Sequence, residues 1–265
     1  SMAQSAPLQP QRPSGFLWQT NEDHCRILKL TMKFLQFTVL SICAGLWLNA
    51  QPKDIFGSEP PKKPDITETA PGVFQVGTVK LVKAKNEISF PASVNMNEGP
   101  MEYLVVTGKG KTHESLMVTS AEPFHVQVAM LLLNCKGSDG RLIPENDTKP
   151  VPGEKVVIEF HWKEGKKPKK APIEKFVQRV DKKPVGNDPF VFNGSRMFEG
   201  SFLAQRDGSI VSLITDNAAQ FNNARQGRAD DELWRPQPRG LPALDSNGTV
   251  VIRVMKNVEK SKDSQ

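Results

Sequence analysis

The chain has 265 residues, with 35 Lys+Arg against 29 Asp+Glu and a formal net charge of +6. This excess is mild and largely local to one lysine-rich stretch, so charge alone does not indicate a nucleic-acid-binding protein. Of three cysteines, Cys25 and Cys43 lie in a front segment that we expect to be removed. Cys135 alone can form neither an internal disulfide nor a cysteine-ligated metal cluster.

The first fifty residues have the features of a leader. Met32-Lys33 precedes the apolar run FLQFTVLSICAGLWL, and Ala50 is a small residue at a cleavage position. The run is shorter than the roughly 20 apolar residues of a membrane-spanning helix. We predict upstream residues and a signal peptide within 1–50, the signal being 32–50, and a periplasmic or secreted mature protein. The alternatives are an uncleaved membrane anchor and a lipoprotein modified at Cys43.

Composition divides the remaining chain into a linker, a domain and a tail. Residues 51–72 are Pro-rich and charged, as in flexible linkers. Apolar and polar residues alternate from Val73 onwards, which is typical of half-buried strands. We therefore predict one domain over 73–256 and a disordered tail over 257–265.

Strand patterns dominate the predicted domain. They occur in the stretches VFQVGTVKLVKA, NEISFPASVN, EYLVVT with ESLMVT, KVVIEFHW, FVFNGSRMFEGSFLAQRDGSIVSLIT and GTVVIRVMK. One helix is predicted over about 122–135, with Ser120 as N-cap, Pro123 in the first turn and Gly137 as the stop. Its apolar residues run almost all round, so we expect it to be buried on several sides. The predicted class is α+β, with mostly antiparallel sheet and one main buried helix.

The order of these segments resembles the YdjY domain, a bacterial extracytoplasmic family. The similarity lies in EYLVVTGKGKTHESLMVTSAEPFHVQVAMLLLN, VFNGSRMFEGSFLAQRDGSIVSLITD and ADDELW, and it covers about Val73 to Val254. The resemblance implies a fold neighbourhood and a compartment, and it implies no activity. Some members carry adjacent cysteine motifs; this chain has none, so no iron–sulfur function is implied and no cofactor is predicted.

The stretch GKGKTHESLMV is the first candidate site. Lys111, His113, Glu114 and Ser115 follow a glycine-containing turn, and Arg196 or Lys111 could pair with Glu114. Ionisable groups that lead into an apolar strand must be paired if they are buried. The cluster could therefore fix the turn, bind a ligand, or supply a base and an acid for catalysis.

Two further groups of residues are weaker candidates. Asp216, Asp230 and Asp231 lie in an oxygen-rich region that could suit Ca²⁺, although ordinary loops have the same composition. The lysine-rich loop, with Lys166, Lys167, Lys169 and Lys170, could bind a polyanion or could be a solvated hairpin. Because no aromatic residues alternate with these lysines, the sequence does not predict single-stranded nucleic acid as a partner.

The leading functional hypothesis is a non-catalytic extracytoplasmic domain that binds a small ligand or an envelope protein near residues 108–115. One alternative is a hydrolase that uses His113 and Glu114. Another is an envelope structural module whose lysine loop contacts anionic polymer. No specific nucleic acid is expected, and the membrane would be reached only through an uncleaved signal or a surface contact.

Cleavage after Ala50 can be tested by the intact mass of the protein isolated from its native envelope fraction. Because the leader ends at a small residue, we expect a mature terminus near Gln51. A mass that still includes residues 32–50 would contradict cleavage.

Overall fold

Sixteen strands make up most of the regular structure in residues 63–255, the part of the chain that the computed structural model describes. In chain order they are β1 (Ile66–Ala70), β2 (Val73–Val76), β3 (Val79–Val82), β4 (Glu87–Val94), β5 (Tyr103–Thr107), β6 (Ser115–Thr119), β7 (Glu154–Glu164), β8 (Lys167–Pro172), β9 (Val177–Arg179), β10 (Phe190–Phe192), β11 (Met197–Phe198), β12 (Ser201–Phe202), β13 (Ser209–Ser212), β14 (Phe221–Asn223), β15 (Trp234–Pro236) and β16 (Asn247–Val254).

The described part begins inside the predicted linker. Strand β1 lies within residues 51–72, so the sheet starts at Ile66 rather than at Val73. The predicted upstream residues, the signal peptide, the remainder of the linker and the tail over 257–265 lie outside the described residues.

Eight strands close into a barrel in the order β4, β16, β7, β10, β14, β13, β5, β6 and back to β4. The last step is short: Ser93 and Val94 of β4 pair with Val118 and Met117 of β6. Two of the ladders, β5–β6 and β13–β14, are parallel, and the other ladders of the barrel are antiparallel. A closed sheet encloses its own core and needs no covering helix.

Strands β4 and β7, which flank β16, change partners along their length. Strand β7 pairs with β10 through residues 154–156 and with β8 through residues 159–164. Strand β4 pairs with β3 through residues 87–89 and with β6 through residues 93–94. The lengths that the barrel does not use carry the β1–β2–β3 meander and the β7–β8 hairpin. Strand β8, with the sequence KPKKAP, pairs with β7 alone among the described strands.

Two helices and three 3-10 turns are the helical segments of residues 63–255. They are α1 (Pro123–Leu132), α2 (Leu203–Asp207) and 3-10 turns at Lys83–Lys85, Thr112–Glu114 and Ile173–Phe176. Helix α1 has its proline at the first helical position, as expected, and Glu122 rather than Ser120 occupies the N-cap position. Within residues 63–255, no helix is both long and apolar enough to cross a bilayer.

The predicted α+β class with one main buried helix is wrong, because the molecule is mostly β and its core lies in the barrel. Helix α1 packs with one face against β2, β3 and β4. Val126, Ala129 and Met130 are buried on that face, whereas the side chain of Leu131 is 51% exposed. Apolar residues lie almost all round this helix, yet the structure buries it on one face and does not enclose it on several sides.

An aromatic cluster anchors the β7–β8 hairpin to the core. The rings of Phe160 and Trp162 stack with their centroids 5.9 Å apart, and the Phe176 ring meets both edge-on at 6.4 and 5.8 Å. Gly248 of β16 makes room for this cluster, because a Cβ there would lie 2.4 Å from the Phe160 ring. Packing of this kind fixes the position of the hairpin.

Adjacent residues of α1 provide a test of its one-sided burial. Met130→Ala should lower the free energy of unfolding by about 2–5 kcal/mol, because it opens a cavity in the core. Leu131→Ala should lower it by less than about 0.5 kcal/mol. Urea unfolding of both variants measures the difference, and equal losses would indicate a helix buried all round.

Candidate functional site

The stretch around residues 108–115 forms a tight turn whose charges are already paired. Lys111 Nζ lies 3.0 Å from Glu102 Oε2 and 3.1 Å from Glu114 Oε1, so one cation serves two carboxylates. His113 Nε2 is 3.8 Å from Glu114 Oε2, and the His113 side chain is 79% exposed. The structure thus brings Lys111 and Glu114 together and leaves His113 at the surface.

The glycines of this turn have a packing role. A Cβ on Gly110 would lie 2.9 Å from the Val106 Cβ and 3.1 Å from the Gly208 carbonyl oxygen. Gly208 has φ +67°, and a Cβ there would lie 2.4 Å from Thr107 Oγ1. Two turns therefore cross at a distance that only glycine permits. The crossing explains Gly110 without a ligand, whereas a Cβ on Gly108 would meet nothing within 4 Å.

Burial and charge both shift the pKa values around Lys111. Burial raises the pKa of Glu102 above its usual value, and the hydrogen bond from Lys111 opposes this only in part. Burial lowers the pKa of Lys111, but its hydrogen bonds to Glu102 and Glu114 outweigh that effect and raise it. Burial, together with the Asp216 carboxylate, raises the pKa of Tyr103. Mutual neutralisation is what stabilises these charges.

The remaining candidates near the turn are engaged elsewhere. The Ser115 hydroxyl is buried and donates to the Lys111 carbonyl oxygen at 2.5 Å, which directs its proton away from His113. The Arg196 guanidinium lies 5.6 Å from the centroid of the Phe198 ring, and Glu114 takes Lys111 as its partner instead. No serine–histidine relay is formed by these two side chains.

The three candidate metal ligands do not form a common site. Asp216 accepts a hydrogen bond from the Tyr103 hydroxyl at 3.1 Å, and Asp230 accepts one from the Glu232 backbone N–H at 3.0 Å. Asp231 is exposed. In the described residues, no group of three or more His, Cys, Asp and Glu side chains is placed to hold a metal ion.

The lysines of the loop are divided between the two faces of the β7–β8 hairpin. Lys167 pairs in register with Glu164, and Lys169 with Trp162, so both share the Trp162 face. Lys170 pairs with His161 and therefore lies on the opposite face. Lys166 is in the turn and is exposed. The four lysines of the predicted patch therefore do not share one face of the hairpin.

A cavity of about 670 Å³ lies where the β7–β8 hairpin meets the start of β16. Direct register partners line it: Lys170, His161 and Thr249 come from three neighbouring strands. Lys163, Pro168 and Asn247 continue the same face at the next alternate positions. Trp162, Lys169 and Gly248 complete the border, and none of the nine lining residues is acidic.

Glu159 lies just outside this cavity and holds two of its basic groups in place. Its carboxylate is 3.0 Å from His161 Nε2, 3.6 Å from Lys170 Nζ and 3.8 Å from the Arg253 guanidinium. Burial raises the pKa of Glu159, but the hydrogen bond from His161 and the nearby cations lower it below its usual value. The Glu159 carboxylate thus orients several basic side chains, and its single negative charge cannot neutralise all of them.

Sequence reasoning identified the lysines and missed their neighbours in the cavity. Thr249 and Asn247 are far from the hairpin in the chain, and only the β16–β7 register places them there. Trp162 also went unrecognised, although it continues the alternation of Val156, Ile158 and Phe160 into the lysine-rich segment. The alternation indicates that the apolar face of β7 extends to Trp162, which anchors the hairpin to the core.

Comparison with known proteins gives a family match. The model of the YdjY domain matches residues 79–255, which confirms the resemblance found in the sequence. No curated protein and no solved structure matches the chain significantly.

Replacement of Lys111 tests whether charge pairing holds the 108–115 turn. Lys111→Met leaves Glu102 and Glu114 without their cation, so the free energy of unfolding at pH 7 should fall by about 1 kcal/mol. The raised pKa of Glu102 means that the folded state binds a proton before the unfolded state does as the pH falls. The loss should therefore shrink towards pH 4.

Lys109→Met is the matched control, since Lys109 lies in the same turn and forms no ion pair with another described residue. It should leave stability unchanged in urea unfolding at both pH values. A loss for Lys111→Met that does not vary with pH would show that charge pairing is not its cause.

Proposed function

The chain belongs to the YdjY domain family, and we propose that it is a non-catalytic extracytoplasmic binding domain that holds an anionic ligand or polymer on its β7–β8 hairpin. The support for this proposal is the concentration of positive charge on the hairpin. Residues 159–172 carry five lysines against the two carboxylates of Glu159 and Glu164, and the cavity beside them has no acidic lining residue. A concave surface of one sign attracts and retains the opposite charge.

The hairpin is also pre-organised for binding. Stacking of Trp162 on Phe160 and its edge-on contact with Phe176 fix the base of the hairpin, so the backbone loses little conformational freedom when a ligand binds. The same contacts engage the rings of both Phe160 and Trp162 in the hairpin. A single-stranded nucleic acid needs free aromatic faces for its bases, and this hairpin offers none.

The 108–115 turn is a weaker site for an anion. Lys111 is neutralised by two carboxylates, so the local charge there is not positive. A hydrolase centred on His113 finds little support, because the Ser115 proton is committed to a backbone carbonyl oxygen. The proposal therefore favours the envelope-interaction alternative over a site at the turn, and it keeps the extracytoplasmic location that the predicted signal implies.

Salt-dependent retention of the full chain on a dextran sulfate resin tests the proposal. Lys163→Ala/Lys170→Ala removes two ammonium groups from the cavity, so elution should need clearly less salt. The slope of log K against log salt should fall by roughly one to two, about one for each lost contact. Circular dichroism would verify that the variant is folded.

Lys85→Ala/Lys149→Ala is the matched control, because both lysines are exposed and neither forms an ion pair with another described residue. It carries the same net charge and should elute with the wild-type chain. Equal shifts for the two double variants would mean that retention reports net charge alone. A loss of retention in His113→Ala would place the site at the turn instead.

A further inference from the structure

The cavity beside the hairpin contains hydrogen-bond donors that no acceptor in residues 63–255 uses. The Lys163 ammonium, the Asn247 amide and the Thr249 hydroxyl make no side-chain hydrogen bond or ion pair with another residue in 63–255. Lys163 and Asn247 are exposed and Thr249 is half-buried, so water satisfies these donors in the free protein. A ligand with several acceptor oxygens can replace that water on this concave surface.

These donors converge because of strand register. His161 and Thr249 are directly opposite each other across β7 and β16, and His161 and Lys170 are opposite across β7 and β8. Directly opposed side chains have Cβ atoms about 4.5–5.5 Å apart, which lets their ends reach one oxyanion. Lys163 and Asn247 approach from the adjacent row on the same face.

The chemistry of the donors suits a phosphate. The planar fork of arginine matches carboxylates and phosphates alike, and no arginine lines the cavity, whereas lysine binds phosphate as a point charge. Arg253, which lies nearby, is held by Glu87 at 2.8 Å. Lysine ammoniums with hydroxyl and amide donors approach from several directions, which suits the non-bridging oxygens of a phosphate ester. A volume of about 670 Å³ also leaves room for the group that carries the phosphate.

We propose that the cavity is a phosphate-ester site, an inference that rests on the proposed function. The phosphate lies between Lys163 and Lys170, and its oxygens accept hydrogen bonds from Thr249 and Asn247. The carrier can be an envelope polymer with phosphodiester links or a phospholipid headgroup. Both present the same phosphate chemistry to the cavity.

Replacement of one hydroxyl tests the site without changing its charge. Binding of sn-glycerol 3-phosphate to the full chain is measured by calorimetry or NMR titration at low salt. Thr249→Val keeps the shape and strand preference of the residue and should weaken binding by about tenfold or more, as expected for a hydrogen bond to a charged group. Thr249→Ser keeps the hydroxyl and should bind within about twofold of wild type.

Thr67→Val is the matched control, an exposed strand threonine that lines none of the cavity, and it should not change binding. Galacturonate serves as the carboxylate probe and should bind at least about tenfold more weakly than glycerol phosphate. Flotation with phosphatidylglycerol and phosphatidylcholine vesicles separates the two sources. Binding to the anionic vesicles indicates a headgroup and its absence indicates a polymer, and either result supports the phosphate assignment when glycerol phosphate binds.

Three outcomes would overturn the phosphate assignment: no binding of glycerol phosphate, equal affinity for galacturonate, or unchanged affinity in Thr249→Val. The dextran sulfate experiment distinguishes this failure from failure of the proposed function. If Lys163→Ala/Lys170→Ala still loses retention there, the hairpin binds anions by charge without a phosphate site.

Discussion

The pairing of β16 with β4 on one edge and β7 on the other is the constraint on which the structure depends. It joins β16 to β4, whose paired residues are more than 150 positions away in the chain, and to β7, whose paired residues are more than 80 positions away. Both neighbours are longer than the barrel wall requires, so each changes partner midway. The excess length of β7 becomes the hairpin, and the first residues of β16 come to lie beside it. The candidate site is thus a by-product of how the barrel closes.

Local patterns in the sequence predict part of this architecture. The residue patterns predicted strands at 103–107 and 155–162, and proline at the first helical position marked the start of α1. The prediction that 103–107 forms a hairpin with 114–119 is wrong, because β5 and β6 run parallel. The burial of α1 could not be read in the same way. Closure through Ser93 and Val94 depends on pairing with β6, and a single sequence holds no local sign of such a contact. Because the sequence does not show that the sheet closes into a barrel, the apolar composition of α1 led to the wrong prediction of a main buried helix.

The site was predicted in a similarly incomplete way. The 108–115 turn drew attention because it concentrates ionisable residues, yet Glu102 neutralises Lys111 from outside the turn. The lysine-rich loop was treated as one patch, although strand alternation already places Lys169 and Lys170 on opposite faces. What separates the two regions is whether charges are satisfied within the protein. At the turn the charges are paired within the protein, whereas at the hairpin several hydrogen-bond donors have no partner among the described residues.

Strand β8 has one more consequence, which concerns self-association. An unpaired edge strand can act as a template for another chain, and proteins suppress this with proline and lysine. Pro168 and Pro172 remove two N–H donors from β8, and its lysines repel a second copy of the same edge. A strand that approaches meets missing donors and like charge, whereas a dissolved anion meets attraction. The residues that make the hairpin basic therefore also protect it from β-sheet aggregation.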